Sequence, residues 1–160
     1  NSEAKTWLER SRSVNDTSEA RLNLALLALE EGKTSEAEEL IGQSLQSDNG
    51  EVLALLYLKQ GKYEQALKSF GSTKSNNAAI AQLLNRRYDS AMETLNNVVR
   101  TNATTDYLKA IVAARMQDDR SAINFLSEAI RRDPALRSRA ISDKEFASLA
   151  NNERFVQLLK

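Results

Sequence analysis

EVLALLYLKQGKYEQALKSF, residues 51–70, is the stretch on which the fold turns. It carries apolar, helix-forming runs on either side of Gly61, with Ala54 in the first run, Ala66 in the second and Phe70 four residues further on. Glycine tolerates the left-handed backbone that closes a helix, so the string predicts two helices joined by a tight turn at Gly61-Lys62. Their alanines would meet where the backbones approach closely. The same twelve-residue alanine spacing recurs along the chain: Ala25 and Ala37, Ala54 and Ala66, Ala79 and Ala91, Ala110 and Ala122. Each second alanine is followed four residues later by Ile41, Phe70, Leu95 or Leu126. The offset between units runs 29, 25 and then 31 residues, so the hairpin is constant while the connections vary. One amphipathic hairpin cannot bury its apolar face alone, whereas stacked hairpins share a continuous core. The pattern therefore predicts an all-α, antiparallel helical-hairpin solenoid.

The bulk composition agrees with that reading. Of 160 residues, 41% are hydrophobic and 28% charged, with 5 Gly and 1 Pro, which favours long helices with short connections over a fold of many turns. Lys plus Arg and Asp plus Glu both number 22, so the zero net charge predicts no general attraction to nucleic acid or anionic membrane. Residues 1–80 hold 9 basic and 12 acidic side chains and residues 81–160 hold 13 and 10, a tilt small enough to read as ordinary solvated faces. The sequence has no Cys and no His, which removes disulfides, thiolate metal sites and imidazole bases. No apolar run approaches the ~20 residues of a membrane span. The chain opens at Asn1 without an initiator Met or a signal peptide, the expectation for a piece of a longer protein.

Turn and cap residues predict helices near 3–14, 18–31, 35–47, 51–60, 63–70, 77–85, 88–100, 104–117 and 119–132, with two short helices after 142. Gly32 and Gly61 close the first helices of two hairpins, and Asn85 stands in their place in the third. Asp119 is the expected N-cap of the return helix in the fourth. One domain over residues 1–160 is predicted: an N-terminal helix at 3–14, four hairpins at 18–134 and a capping tail at 135–160. Phe146, Leu149, Phe155, Val156 and Leu159 would cover the exposed end of the stack.

KQGKYEQALKSF at 59–70 and DDRSAINFLSEAIRRDP at 118–134 resemble the second half of the tetratricopeptide repeat. Gly61, Tyr63, Ala66 and Phe70 match it in one unit, and Ala122, Leu126, Ala129 and Pro134 in another. Ala25, Ala54, Ala79 and Ala110 fall where the repeat wants a small residue in its first helix. The resemblance covers residues 18–134 and implies a right-handed superhelix built of degenerate repeats, because offsets of 29 and 25 fall short of the usual ~34. The tail DKEFASLANNERFVQLL is similar to endings of bacterial members, which implies a domain of a larger bacterial protein, periplasmic or outer-membrane-associated rather than cytoplasmic.

The resemblance implies a concave binding face made by the first helices: Leu22, Leu26, Leu29, Leu55, Leu58, Ile80, Leu83, Tyr107 and Ile111. An apolar wall of that extent would take a peptide or a partner helix, unless curvature or a covering segment buries it. The family's carboxylate clamp is not matched, since its places hold Leu22, Leu26, Val52, Asp48 and Leu108. Arg86, Arg87, Arg115 and Arg120, with Arg131 and Arg132, form a candidate basic edge for anions, against the alternative of cations that suit helix ends. No phosphate loop, nucleophile motif or metal-ligand spacing is found. The expectation is a non-catalytic protein–protein interaction scaffold without cofactor or metal, its partner a protein or peptide, with no nucleic acid and no membrane insertion. The alternatives are a small-ligand or lipid carrier using the apolar groove, and a structural spacer.

Overall fold

The computed structural model describes Thr6, residues 18–42 and residues 50–160. The helix expected at 3–14 lies outside the described residues, apart from Thr6. Among the described residues every regular element is helical: α1 (Ser18–Glu30), α2 (Thr34–Gly42), α3 (Gly50–Lys59), α4 (Tyr63–Phe70), α5 (Asn76–Leu84), α6 (Tyr88–Asn96), α7 (Ala103–Arg115), α8 (Asp119–Arg132), α9 (Leu136–Ser142), a 3-10 helix (Lys144–Leu149) and α10 (Glu153–Leu159). Helices α1 and α2, α3 and α4, α5 and α6, and α7 and α8 pack as neighbouring pairs. These are the four hairpins of the alanine spacing. The chain divides into two compact units, Asn1–Ser72 and Thr73–Lys160, so that two hairpins fall in each.

All eight alanines of the repeat are 0–1% exposed. The turns between them share one geometry. Gly32, Gly61, Arg86 and Gln117 each lie seven residues after the first alanine and five before the second, with φ of +78°, +72°, +58° and +62°. The residue after each donates its N–H five positions back, to Ala28, Tyr57, Gln82 and Ala113, at 2.8–2.9 Å. The left-handed residue itself donates three positions back, to Leu29, Leu58, Leu83 and Ala114, at 3.0–3.1 Å. Together these bonds are the Schellman closure of a helix, which satisfies carbonyls the helix end leaves open.

The third and fourth hairpins depart from expectation here. Asn85 is not left-handed (φ −86°), and Arg86 takes that role. Asn85 Nδ2 instead donates to the Ala81 carbonyl at 2.7 Å, a local bond that holds it in the last turn of α5. In the fourth hairpin the cap of α8 is Asp118 rather than Asp119, its carboxylate accepting from Ser121 N–H at 3.0 Å. Helix α6 stops at Asn96, four residues early. Asn97 Nδ2 donates to the Glu93 carbonyl at 2.8 Å and closes the helix, leaving Val99 93% exposed.

In unit 1 the core comprises Leu24, Ala25, Ala28 and Leu29 of α1, Ala37, Leu40 and Ile41 of α2, and Val52 and Leu56 of α3. Lys59 Nζ donates to the Leu29 carbonyl at 2.5 Å, which ties the end of α3 to the end of α1 and places a cation where the helix dipole favours one. Gly50 opens α3 against α4: a Cβ there would lie 2.9 Å from the Ser69 carbonyl oxygen. In unit 2 the core runs from Ala79 through α6, α7 and α8 into Ala140, Phe146, Leu149 and Phe155 of the tail. The tail holds one helix more than expected, since α9 begins at Leu136, two residues after Pro134.

Two tests follow from the shared turn and crossing. Ala66→Leu and Ala122→Leu should each lower unfolding free energy by about 1–3 kcal/mol through overpacking, measured by urea denaturation, while Glu38→Ala on the exposed face of α2 should change it by less than about 0.5 kcal/mol. Conversely, Arg86→Gly and Gln117→Gly should stabilise by about 0.5–1 kcal/mol, because left-handed strain relieved in the folded state exceeds the added freedom of the unfolded chain. A loss of stability in both glycine variants would show that these side chains contribute more than the strain costs.

Candidate functional site

The first helices were expected to present one apolar wall, and their side chains divide into two groups. Leu29 in unit 1, and Tyr107 and Ile111 in unit 2, are buried core residues, so for these three the open wall gives way to packing. Leu26, Leu55, Leu58, Ile80 and Leu83 are half-buried. The side chain of Leu22 lies outside the described residues. In unit 1, Leu26 and Leu53 pack against the core from the side. Residues 52–58 of α3 are an unbroken apolar run: Val52, Ala54 and Leu56 are buried, while Leu55 and Leu58 remain half-buried on the side that also carries the exposed Glu51 and Lys59. In unit 2, Ile80 and Leu83 of α5 pack at the core margin, and the adjacent Leu84 is 45% exposed.

Tyr107 is covered by the tail, and Ile111 belongs to the same core. In the repeat register, Leu55, Ile80 and Ile111 are equivalent, as are Leu58, Leu83 and Ala114. Only the α7 members of these sets are fully covered in the second and later hairpins. The 3-10 helix packs on α7. Phe146 meets the Tyr107 ring edge-on, with centroids 5.6 Å apart at 83°, and Phe155 stands 6.0 Å behind it. The Tyr107 hydroxyl donates to Asp143 Oδ2 at 2.8 Å, and the Arg139 guanidinium lies 5.0 Å from the ring centroid. Burial, with the Asp143 carboxylate as second cause, pushes the phenol well above the ordinary tyrosine range. Arg115 forks onto Glu145 through Nε at 2.5 Å and Nη2 at 2.7 Å, which fixes its charge.

That pairing takes Arg115 out of the candidate basic edge. Arg86, Arg87 and Arg120 are exposed, with Arg86 held in a turn; the pKa of Asp118 is lowered mainly by its hydrogen bonds from Ser121, with Arg120 a minor cause. Arg131 and Arg132 converge on Glu128, and these hydrogen bonds pull its carboxyl down to about 2. Arg132 Nε also stands 3.1 Å from Oδ2 of the buried Asp106. That oxygen has no aligned hydrogen-bond donor, so the pairing is Coulombic. Asp106 is the charged core residue that sequence reasoning missed, in addition to the buried Thr94 and Thr105; its one available signal was an acid immediately before the largely apolar stretch YLKAIVAA. Among the described residues no group of three or more His, Cys, Asp or Glu is placed to hold a metal ion, and no helix is long and apolar enough to cross a membrane.

Set against known proteins, the chain matches no family model and no curated protein.

The closure of unit 2 can be checked directly. Tyr107→Phe keeps the ring contact with Phe146 but leaves Asp143 Oδ2 without its donor, while Oδ1 keeps the Glu145 N–H, and should cost about 1–2 kcal/mol in urea denaturation. For Glu128 the folded pKa lies below the unfolded value, so its contribution is present above pH ~4.5 and is lost as pH falls toward 2. The stability difference between the parent and Glu128→Gln should therefore be constant above pH ~5 and vanish near pH 2; being exposed, the pair should give a small difference throughout.

Proposed function

We propose that this chain is a non-catalytic, tetratricopeptide-like interaction module that holds a peptide or folded domain of a partner protein against its first helices. The observation that carries the reading is α3. Its run 52–58 is apolar without a break, and Leu55 and Leu58 stay half-buried beside the exposed Glu51 and Lys59, an apolar patch with a charged rim, while Val52, Ala54 and Leu56 are buried. Ile80, Leu83 and the exposed Leu84 repeat the arrangement on α5. A partner helix bearing apolar residues at i, i+3 and i+4 suits such a surface. The lack of Cys and His in the sequence supports a binding role over a catalytic one. The alanine-spaced hairpins support the likeness to the repeat family.

The test is selection of random displayed peptides on the protein, followed by counter-screening on Leu55→Glu and Leu58→Glu, both on α3 of unit 1. Amphipathic helical peptides should be enriched and lost on both variants, with the circular dichroism and melting temperature of each nearly unchanged. Unfolding of both variants would place these side chains in the core and overturn the reading, since an unpaired buried carboxylate costs several kcal/mol. Failure to enrich any peptide sensitive to the two substitutions would overturn it as well.

A further inference from the structure

Helices α8 and α10 contribute matched polar pairs to one open depression of ≈ 300 Å³ in unit 2. Asn124 and Ser127 lie one turn apart on α8, and Arg154 and Gln157 one turn apart on α10. The floor is apolar, made by the buried Ile123 and the half-buried Leu158. Arg154 Nη2 donates to Asn124 Oδ1 at 3.2 Å. That bond engages the acceptor end of the Asn124 carboxamide, so the end it turns outward is its NH₂ donor. The guanidinium retains most of its five donors, and Ser127 and Gln157 can each supply another.

No carboxylate lines this depression. Glu128 on α8 is held by Arg131 and Arg132, and Glu153 on α10 borders the neighbouring depression on the far side of Gln157, with Val156 and Lys160. Arg120, one turn before Asn124, extends the same row along α8, while Arg131, one turn beyond Ser127, is spent on Glu128. The result is a donor-rich, positively charged mouth above an aliphatic floor. A bare inorganic anion would leave the floor unused, and an apolar ligand would leave the donors unpaired.

We propose that this depression binds a carboxylate carried on a short branched aliphatic stem, the chemistry shared by a free N-acylated aliphatic amino acid and by the last residue of a peptide. Arg154 and the Asn124 amide hold the carboxylate, Ser127 and Gln157 complete its hydrogen bonds, and Ile123 and Leu158 receive the stem. The site is separate from the α3 face, and its test succeeds or fails independently of the peptide selection.

The experiment is titration of the full ¹⁵N-labelled chain, followed by amide resonances, with N-acetyl-leucine, N-acetyl-leucinamide, acetyl-Ala-Ala-Leu acid and inorganic phosphate. The leucine acid should shift Asn124, Ser127, Arg154 and Gln157 saturably and bind at least about tenfold more tightly than the carboxamide. Arg154→Gln should abolish saturation with the fold intact. Should that variant disturb the tail, Ser127→Asp, at an exposed position on α8, puts a repelling charge in the mouth and must abolish binding too. Comparable affinity for the amino acid and the tripeptide identifies a small-molecule source, and about tenfold tighter tripeptide binding identifies a chain terminus; either supports the assignment. Equal shifts from acid and carboxamide, no shift from the acid at about 10 mM, binding that survives Ser127→Asp, or binding of phosphate alone would overturn it.

Discussion

Each hairpin in this chain depends on one backbone geometry, a left-handed residue placed seven positions after one alanine and five before the next. With that residue left-handed, the chain reverses within two positions and the following helix is set against the preceding one. The separation of the two axes is then set by the side chains at the crossing, and only alanine lets them come as close as the turn demands. Turn and crossing are thus one constraint. A larger crossing residue would force the turn open, and a right-handed residue at the turn would carry the second helix away from the first. Two of the four turns accept the strain on a non-glycine residue, Arg86 or Gln117, so the closure must return more than the roughly 1–2 kcal/mol that left-handed backbone costs an L-residue. Part of that return is local: Asp118, next to Gln117, caps α8, and Asn85, next to Arg86, seals the last turn of α5.

The hairpins were legible because alanine at a crossing is a hard steric requirement that leaves a periodic trace in the sequence. Gly32 and Gly61 announced their turns for the same reason. Arg86 and Gln117 did not, since nothing in an Arg or Gln side chain advertises positive φ; only the constant distance from the alanines points to them. Asn85 drew attention as the commoner left-handed residue, yet its carboxamide was better used on the Ala81 carbonyl. Helix α6 was read four residues too long because Asn97 ends it by a side-chain bond that competes with the helix, whereas the valines beyond it look helical by pattern alone. The site was less legible than the fold. Tyr107 occupies a first-helix position whose equivalents in the second and third hairpins are the exposed Glu51 and the half-buried Asn76, and its burial is decided by Phe146, nearly forty residues away, a contact with no periodicity to betray it.

The tail of unit 2 does for α7 what a further hairpin would have done, by different means. Phe146 and Phe155 supply apolar cover, which is non-directional and by itself would let the short 3-10 helix slide along α7. The polar contacts remove that freedom: Tyr107 to Asp143 at one end and Arg115 to Glu145 at the other pin the segment at two points two turns of α7 apart. The Arg115 fork also explains why a basic edge read from the sequence does not survive as a set. Arginines that look alike along the chain are divided by the structure into one that latches the tail, two that gather on Glu128, and others that remain on the surface.

The uneven offsets between hairpins have a local origin. Helix α4 spans only eight residues and ends at Gly71, whose φ of +53° and ψ of −120° suit the first central position of a type II′ turn, a conformation open to glycine and hostile to other residues. Ser75 then caps α5 by accepting from Ala78 N–H at 3.2 Å, so the whole passage from one hairpin to the next is complete within five residues. Between α6 and α7 the passage is longer, because Asn97 closes α6 and Asn102 must still form a capping box with Thr105 before α7 can begin. The offset of 25 residues and the offset of 31 therefore arise from where a helix is stopped and where the next is capped, both set by small polar residues and glycine. The distance between alanines inside each hairpin is left untouched. Length varies among the four hairpins where the backbone satisfies its own hydrogen bonds locally, and stays constant where two helices share a crossing.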